Sequence, residues 1–200
     1  MNYTFAPVSA VKAVRARRIA AAVGAIIVAA GLAACGQSND PPTLENNGVY
    51  ITAGPITYQL QVSRQLNQYA TEDSQYVTGL PPGVSTTLRP NQLWYGVFLW
   101  AKNQTKRTLR TTDNIDIVDT EGTHYYPVPV NPAQNAYAWT AQSLAPGGTE
   151  PALDTTASFG PTGGSVLLFK LPTTVYDDRP LTLQLKGPTG RVWATISLDL

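Results

Sequence analysis

The stretch Leu93-Trp94-Tyr95-Gly96-Val97-Phe98-Leu99-Trp100-Ala101 (LWYGVFLWA) carries no charge and is apolar at odd and even positions alike. Successive side chains of a strand point to opposite faces, so this run predicts a central strand covered on both sides. Trp94, Phe98 and Trp100 share one face, and Tyr95, Val97 and Leu99 the other. One set is core. The other is either covered by a long loop, the commoner fate of large aromatics, or exposed as a patch. Trp94, Phe98 and Trp100 are therefore the candidate binding residues, suited to a sugar platform or a protein interface if exposed.

Outward from that run, period-2 patterns dominate and no window past the N-terminal region sustains helical periodicity. Ile56, Tyr58, Leu60 and Val62 alternate with Thr57, Gln59 and Gln61. Ile115–Val118 and His124–Val128 flank Asp119-Thr120-Glu121-Gly122, which reads as a hairpin. Val166–Leu171 is a second buried run. Leu181–Leu185 and Val192–Leu198 alternate around the tight turn Gly187-Pro188-Thr189-Gly190. Six or seven strands at this spacing predict an all-β antiparallel sandwich. Two long Gly/Pro-punctuated stretches, 65–90 and 131–164, interrupt the rhythm. Their Tyr69, Tyr76, Tyr137 and Trp139 imply that they pack down on the sheets.

The N-terminal region has a different character. Lys12, Arg15, Arg17 and Arg18 precede an uncharged segment from Ile19 to Leu32, and no acidic residue occurs before Asp40. A basic start, a short apolar run and then small residues is the layout of a secretory signal peptide, expected to be helical. Leu32-Ala33-Ala34-Cys35 matches the bacterial lipobox, which implies diacylglycerol on Cys35 and cleavage before it. An uncleaved anchor is the competing reading, because the uncharged stretch approaches the minimum for a spanning helix; the early charge would still leave the rest of the chain outside. The organisation expected is a signal peptide over 1–34, a flexible tether over 35–47 and one domain over 48–200.

Processing reverses the charge. The full chain holds 14 basic and 13 acidic residues; losing four basic ones leaves ten against thirteen, a formal charge of −3. No basic stripe remains for a phosphate backbone, so nucleic acid is excluded as a partner. Cys35 is the single cysteine, so no disulfide can form within the chain.

Several short motifs then occur in order: Val97–Asn103 (VFLWAKN), an acidic turn ending in Glu121-Gly122, Leu144-Ala145-Pro146-Gly147, and Leu167–Pro172 (LLFKLP). This order resembles a widespread, uncharacterised immunoglobulin-like domain of bacterial lipoproteins. That pattern is a V-x-V-x-N strand, a D-x-x-G-x-x-Y hairpin, an L-x-P-G turn and an F-x-[VL]-P strand. With Gln65-Leu66-Asn67 before Glu72-Asp73, the chain looks like the form common in actinobacterial cell-envelope proteins. The resemblance spans roughly 48–198, implies an immunoglobulin-like β-sandwich, and brings no catalytic residues.

Enzyme chemistry fails largely by subtraction. His124 is the only histidine, no Gly-x-Ser-x-Gly elbow occurs, and a zinc site needs three or four ligands. Asp113, Asp116, Asp119 and Glu121 invite a weak calcium site, but the EF-hand spacing is absent and a solvated hairpin is the better reading. Glu72, Asp73, Glu150 and Asp154 lie in the long loops, where paired carboxylates could serve a glycosidase. The sequence thus predicts a non-enzymatic module without cofactor or metal, held at the membrane by lipid on Cys35 and facing outside the cytoplasm. Its expected partner is an envelope protein or a cell-wall polysaccharide. A carbohydrate-binding or carbohydrate-active domain is the alternative.

Overall fold

The computed structural model describes residues 40–45 and 47–198. The signal segment, Cys35 and residues 36–39 and 46 of the expected tether lie outside the described residues. Among the described residues no helix is long and apolar enough to cross a membrane.

The unit from Pro41 onward is a sandwich of two sheets. The first sheet runs β1 (Thr43–Leu44), β12 (Val192–Leu198), β11 (Leu181–Lys186), β6 (Ile115–Val118) and β7 (His124–Tyr125). The second runs β10 (Ser165–Pro172), β4 (Gln92–Lys102), β3 (Ile56–Leu66) and β2 (Tyr50–Ala53). Beside β10, β9 (Thr149–Glu150) takes over the last residues of β4, Ala101 and Lys102. A separate short ribbon joins β5 (Leu109–Arg110) to β8 (Ser143–Leu144). The all-β sandwich is as expected. Only the β1–β12 pair is parallel among the strand pairs described.

The alternation read from the sequence assigns the core faces, except that the bulge after Leu60 turns Val62, expected in line with Ile56, Tyr58 and Leu60, to the outer face opposite Phe98. Ile56, Tyr58 and Leu60 of β3, Tyr95, Val97 and Leu99 of β4, Leu181, Leu183 and Leu185 of β11, and Ala194 and Ile196 of β12 all fill the inter-sheet core. Each fully buried Leu or Ile there stabilises the fold by roughly 1.5–3 kcal/mol. Two polar tips in the core meet the backbone of Thr112. The Tyr58 hydroxyl accepts the Thr112 N–H at 3.1 Å, and Trp139 Nε1 donates to the Thr112 carbonyl at 3.0 Å. Burial pushes the Tyr58 phenol up to about 12.

Two of the short motifs fix the ends of strands. Asn103, fully buried, donates from Nδ2 to the carbonyls of Arg107 (2.7 Å), Leu144 (2.9 Å) and Ala145 (3.2 Å) and accepts from Thr105 N at 3.0 Å. The strand-ending asparagine therefore clamps the Leu-Ala-Pro-Gly turn. In the hairpin, Asp119 Oδ1 accepts the N–H groups of Glu121 and Thr123, and Oδ2 accepts the Tyr125 hydroxyl at 2.8 Å. Gly122 supplies the positive φ (82°) that the turn requires.

Three boundaries differ from expectation. β3 runs on to Leu66, with a bulge between Leu60 and Val62 that lets polar Gln61 sit unpaired while Leu66 returns to a buried face. β7 stops at Tyr125 rather than Val128. Pro127 and Pro129 offer no N–H, and Val128 N instead donates to Leu168 O of the other sheet at 2.7 Å. Finally, Thr43–Leu44, expected in the tether, form β1: Thr43 pairs with Thr195 and their hydroxyls meet at 2.8 Å.

Candidate functional site

The outward face of the second sheet decides the fate of the candidate aromatics, and it is divided along its length. At one end Trp94 and Phe98 are fully buried beneath the two long loops. They form a second core with Leu66, Tyr76, Val77, Val166 and Leu168. Trp94 Nε1 donates to Thr86 O at 2.8 Å, and Phe98 meets the Tyr76 ring edge-on at 4.8 Å. Gly96 between them leaves room for this packing, since a Cβ there would lie 3.0 Å from Leu66 Cδ1 and Phe98 Cε2 and force those side chains to shift. Trp94 and Phe98 are thus corrected from candidate binding residues to core residues, because both long loops fold down over them.

Specific bonds hold those loops in place. Arg64, on the covered face, forms a bidentate pair with Asp73 of the one-turn helix Thr71–Ser74, whose carboxylate also accepts Asn67 N at 2.8 Å. The Arg64 hydrogen bonds keep the Asp73 carboxyl below its ordinary range, against the opposing effect of burial. Asn135 of the second loop donates to the Tyr76 and Thr78 carbonyls of the first, at 3.0 and 3.2 Å. Tyr137 donates its hydroxyl to Gln75 Oε1 at 2.9 Å.

At the other end the loops stop short. Register places Tyr50 of β2 beside Gln59 of β3, and Gln59 beside Trp100 of β4, a single row across three strands. Tyr50 is 60 % exposed and Trp100 half-buried; their rings meet edge-on with centroids 5.8 Å apart. The next row is Thr52, Thr57 and Lys102. Gln61 donates to Gln59 Oε1 at 2.7 Å, and Gln59 donates to the Gly48 carbonyl, so both amides are held in place. Of the three aromatic candidates, Trp100 alone stays at the surface. Tyr50 was missed because its strand, Tyr-Ile-Thr-Ala, is short; its position opposite Ile51 and Ala53, which are core, was the available signal.

The acidic candidates do not converge. Asp73 sits beside Arg64, which is opposite Gly96 on β4, whereas Glu150 is opposite Ala101. Five residues along a strand is about 17 Å, well beyond the separation of either glycosidase class. Glu150 is itself buried, accepting Thr140 N and the Thr111 hydroxyl, and burial raises its pKa. Glu72 and Asp154 are exposed. Asp116, read with its acidic neighbours as part of a solvated hairpin, is instead buried on the first sheet and accepts Lys186 Nζ and His124 Nδ1 on one oxygen, each at 2.6 Å. Asp119 is consumed by its hairpin, and Asp113 and Glu121 are exposed. No group of three or more His, Cys, Asp or Glu side chains is placed to hold a metal among the described residues.

A cleft of about 470 Å³ lies where Val128 and Trp139 reach the β10 edge, walled by Pro127, Pro129 and Pro132 with Arg110 and Asp113 at its polar side.

No family model matches the chain, and no curated protein is found to resemble it. The chain is similar to solved structures that include the following two. The yjhA protein from Bacillus subtilis aligns with a TM-score of 0.45 and 10 % identity, over 79 % of this chain and 99 % of that one. An uncharacterized beta-sandwich protein from Clostridium difficile 630 aligns with a TM-score of 0.42 and 14 % identity, over 82 % and 99 %.

Proposed function

We propose that this chain is a non-enzymatic binding module of the cell envelope, tethered through lipid on Cys35 and facing outside the cytoplasm. Its binding surface is the open end of the second sheet, centred on Tyr50 and Trp100. The observation that carries the reading is the division of that face. Two interlocked loops bury Trp94 and Phe98, yet leave Tyr50 exposed and Trp100 half-buried in one row across three paired strands. Paired strands hold such a row with little ordering cost on binding. The lipobox supports the address, and the resemblance to immunoglobulin-like lipoprotein domains supports the non-enzymatic role.

The test joins address and surface. Wild-type chain, Cys35→Ala and Trp100→Ala are expressed in a lipoprotein-processing bacterium, with labelled fatty acid in the medium. Label on the wild type alone of the Cys35 pair, together with membrane release of Cys35→Ala, is the expected result for the anchor. Retention of the purified domain by isolated envelopes should fall for Trp100→Ala while its thermal stability stays near wild type. Equal retention of both proteins would overturn the surface, and an unlabelled full-length band in the wild type would overturn the anchor.

A further inference from the structure

Size and chemistry of the open end narrow its ligand. Neighbouring strands are about 4.8 Å apart and alternate residues on one face about 6.8 Å apart. Two rows across β2, β3 and β4 therefore present on the order of 200 Å², about a quarter of the roughly 800 Å² each partner contributes to a standard protein interface. The surface is also flat, whereas small-molecule sites are concave clefts that enclose most of their ligand. A narrow extended chain suits this footprint; a folded protein does not.

The groups on offer specify the rest. Tyr50 and Trp100 present aromatic surface with polar tips, against which the weakly positive C–H faces of a pyranose ring can lie. Gln59 accepts one hydrogen bond at Oε1, from Gln61, and a carbonyl oxygen has a second lone pair for a ligand hydroxyl. Thr52, which is exposed, adds a hydroxyl that donates and accepts, while Thr57 beside it is buried. The two rows contain no carboxylate, and Lys102 is their single charge. We propose that the open end binds an extended polysaccharide, neutral or weakly acidic, laid across β2, β3 and β4 along the Tyr50–Gln59–Trp100 row. This rests on the binding surface assigned above and names its ligand class.

The experiment is affinity electrophoresis of the full-length protein in neutral detergent through gels containing purified mannan, dextran, galactan or xylan. Wild type, Tyr50→Ala, Trp100→Ala and Tyr69→Ala are compared, Tyr69 being 81 % exposed but on the covering loop. The expected result is retardation of wild type and Tyr69→Ala by at least one polysaccharide, with affinity about tenfold lower for each of the other two variants. Unchanged circular dichroism confirms that those variants are folded. Retardation by none of the polysaccharides, or retardation insensitive to both Tyr50→Ala and Trp100→Ala, overturns the saccharide. If an envelope protein is then retained in a Trp100-dependent way, the saccharide alone falls and the surface stands. If envelopes also fail to retain the domain, both fall.

Discussion

Replacing Phe98 with Ala separates a second core from a surface patch. Phe98 is fully buried, sits against Leu66 and meets Tyr76 edge-on at 4.8 Å. Truncating a buried Phe costs about 3–5 kcal/mol through lost transfer energy and the cavity left behind. The loops above cannot collapse freely into that cavity, because Arg64–Asp73 and Asn135 hold them, so the upper half of the range applies. At 2–4 °C per kcal/mol for a domain of this size, about 4 kcal/mol lowers Tm by roughly 8–16 °C. With an m-value of about 2 kcal/mol/M, it lowers the urea midpoint by about 2 M. Trp100→Ala, two residues along the same face, removes a half-buried ring and should cost at most about 1 kcal/mol. Chemical denaturation followed by far-UV circular dichroism measures both. A Phe98→Ala protein within about 1 kcal/mol of wild type, or a Trp100→Ala protein as unstable as Phe98→Ala, would refute the division of the face.

Three further outcomes follow from the polar contacts. Arg64→Ala should cost about 1.5 kcal/mol at neutral pH, the low end for a charged hydrogen bond because Arg64 is partly exposed. Since Asp73 is depressed in the folded state, its contribution is complete above the unfolded carboxyl value of about 4 and is lost as pH falls through the folded value. The gap between wild type and Arg64→Ala should therefore close below about pH 4, as read from denaturation midpoints. Glu150 has the opposite sign: its raised pKa imposes a cost absent below about pH 4 that grows as pH rises toward the folded value. Glu150→Gln should match or exceed wild-type stability at pH 7 and lose that advantage in acid, whereas Glu150→Ala, orphaning Thr140 N and the Thr111 hydroxyl, should cost about 1–3 kcal/mol. Asn103→Ala should cost about 3 kcal/mol by freeing the Leu144 and Ala145 carbonyls, and Asn103→Asp should not rescue the melting temperature, since a carboxylate donates nothing.

The sheets were legible because their information is local. Alternation in β3 up to its bulge, β11 and β12 assigns faces residue by residue, and the apolar run of β4 requires cover on both sides. What supplies that cover was not legible. The loops are fixed by contacts such as Asn135 to Tyr76, 59 residues apart in sequence, and no short window encodes them. The same holds for β1, a two-residue strand defined by its partner β12 rather than by its own composition. Proline at 127 and 129 did carry the early end of β7, but the apolar Val128 between them masked it. At the candidate site, Trp100 could be named but not distinguished from Trp94 and Phe98, because period 2 gives all three the same face. Tyr50 reaches that face only through the β2–β3 register. The carboxylates could be named too, yet their separation along β4 depends on pairing that alternation leaves open.

Hydroxyl-radical footprinting of the protein, free and then bound to isolated envelopes, tests the divided face most directly. Free protein should be modified at Tyr50 and Trp100 while Trp94, Phe98 and Tyr76 are spared, and envelope binding should protect Tyr50 and Trp100 in particular. Modification of Trp94 and Phe98 at the rate of Trp100, or undiminished modification of Tyr50 and Trp100 in the bound protein, would contradict the account.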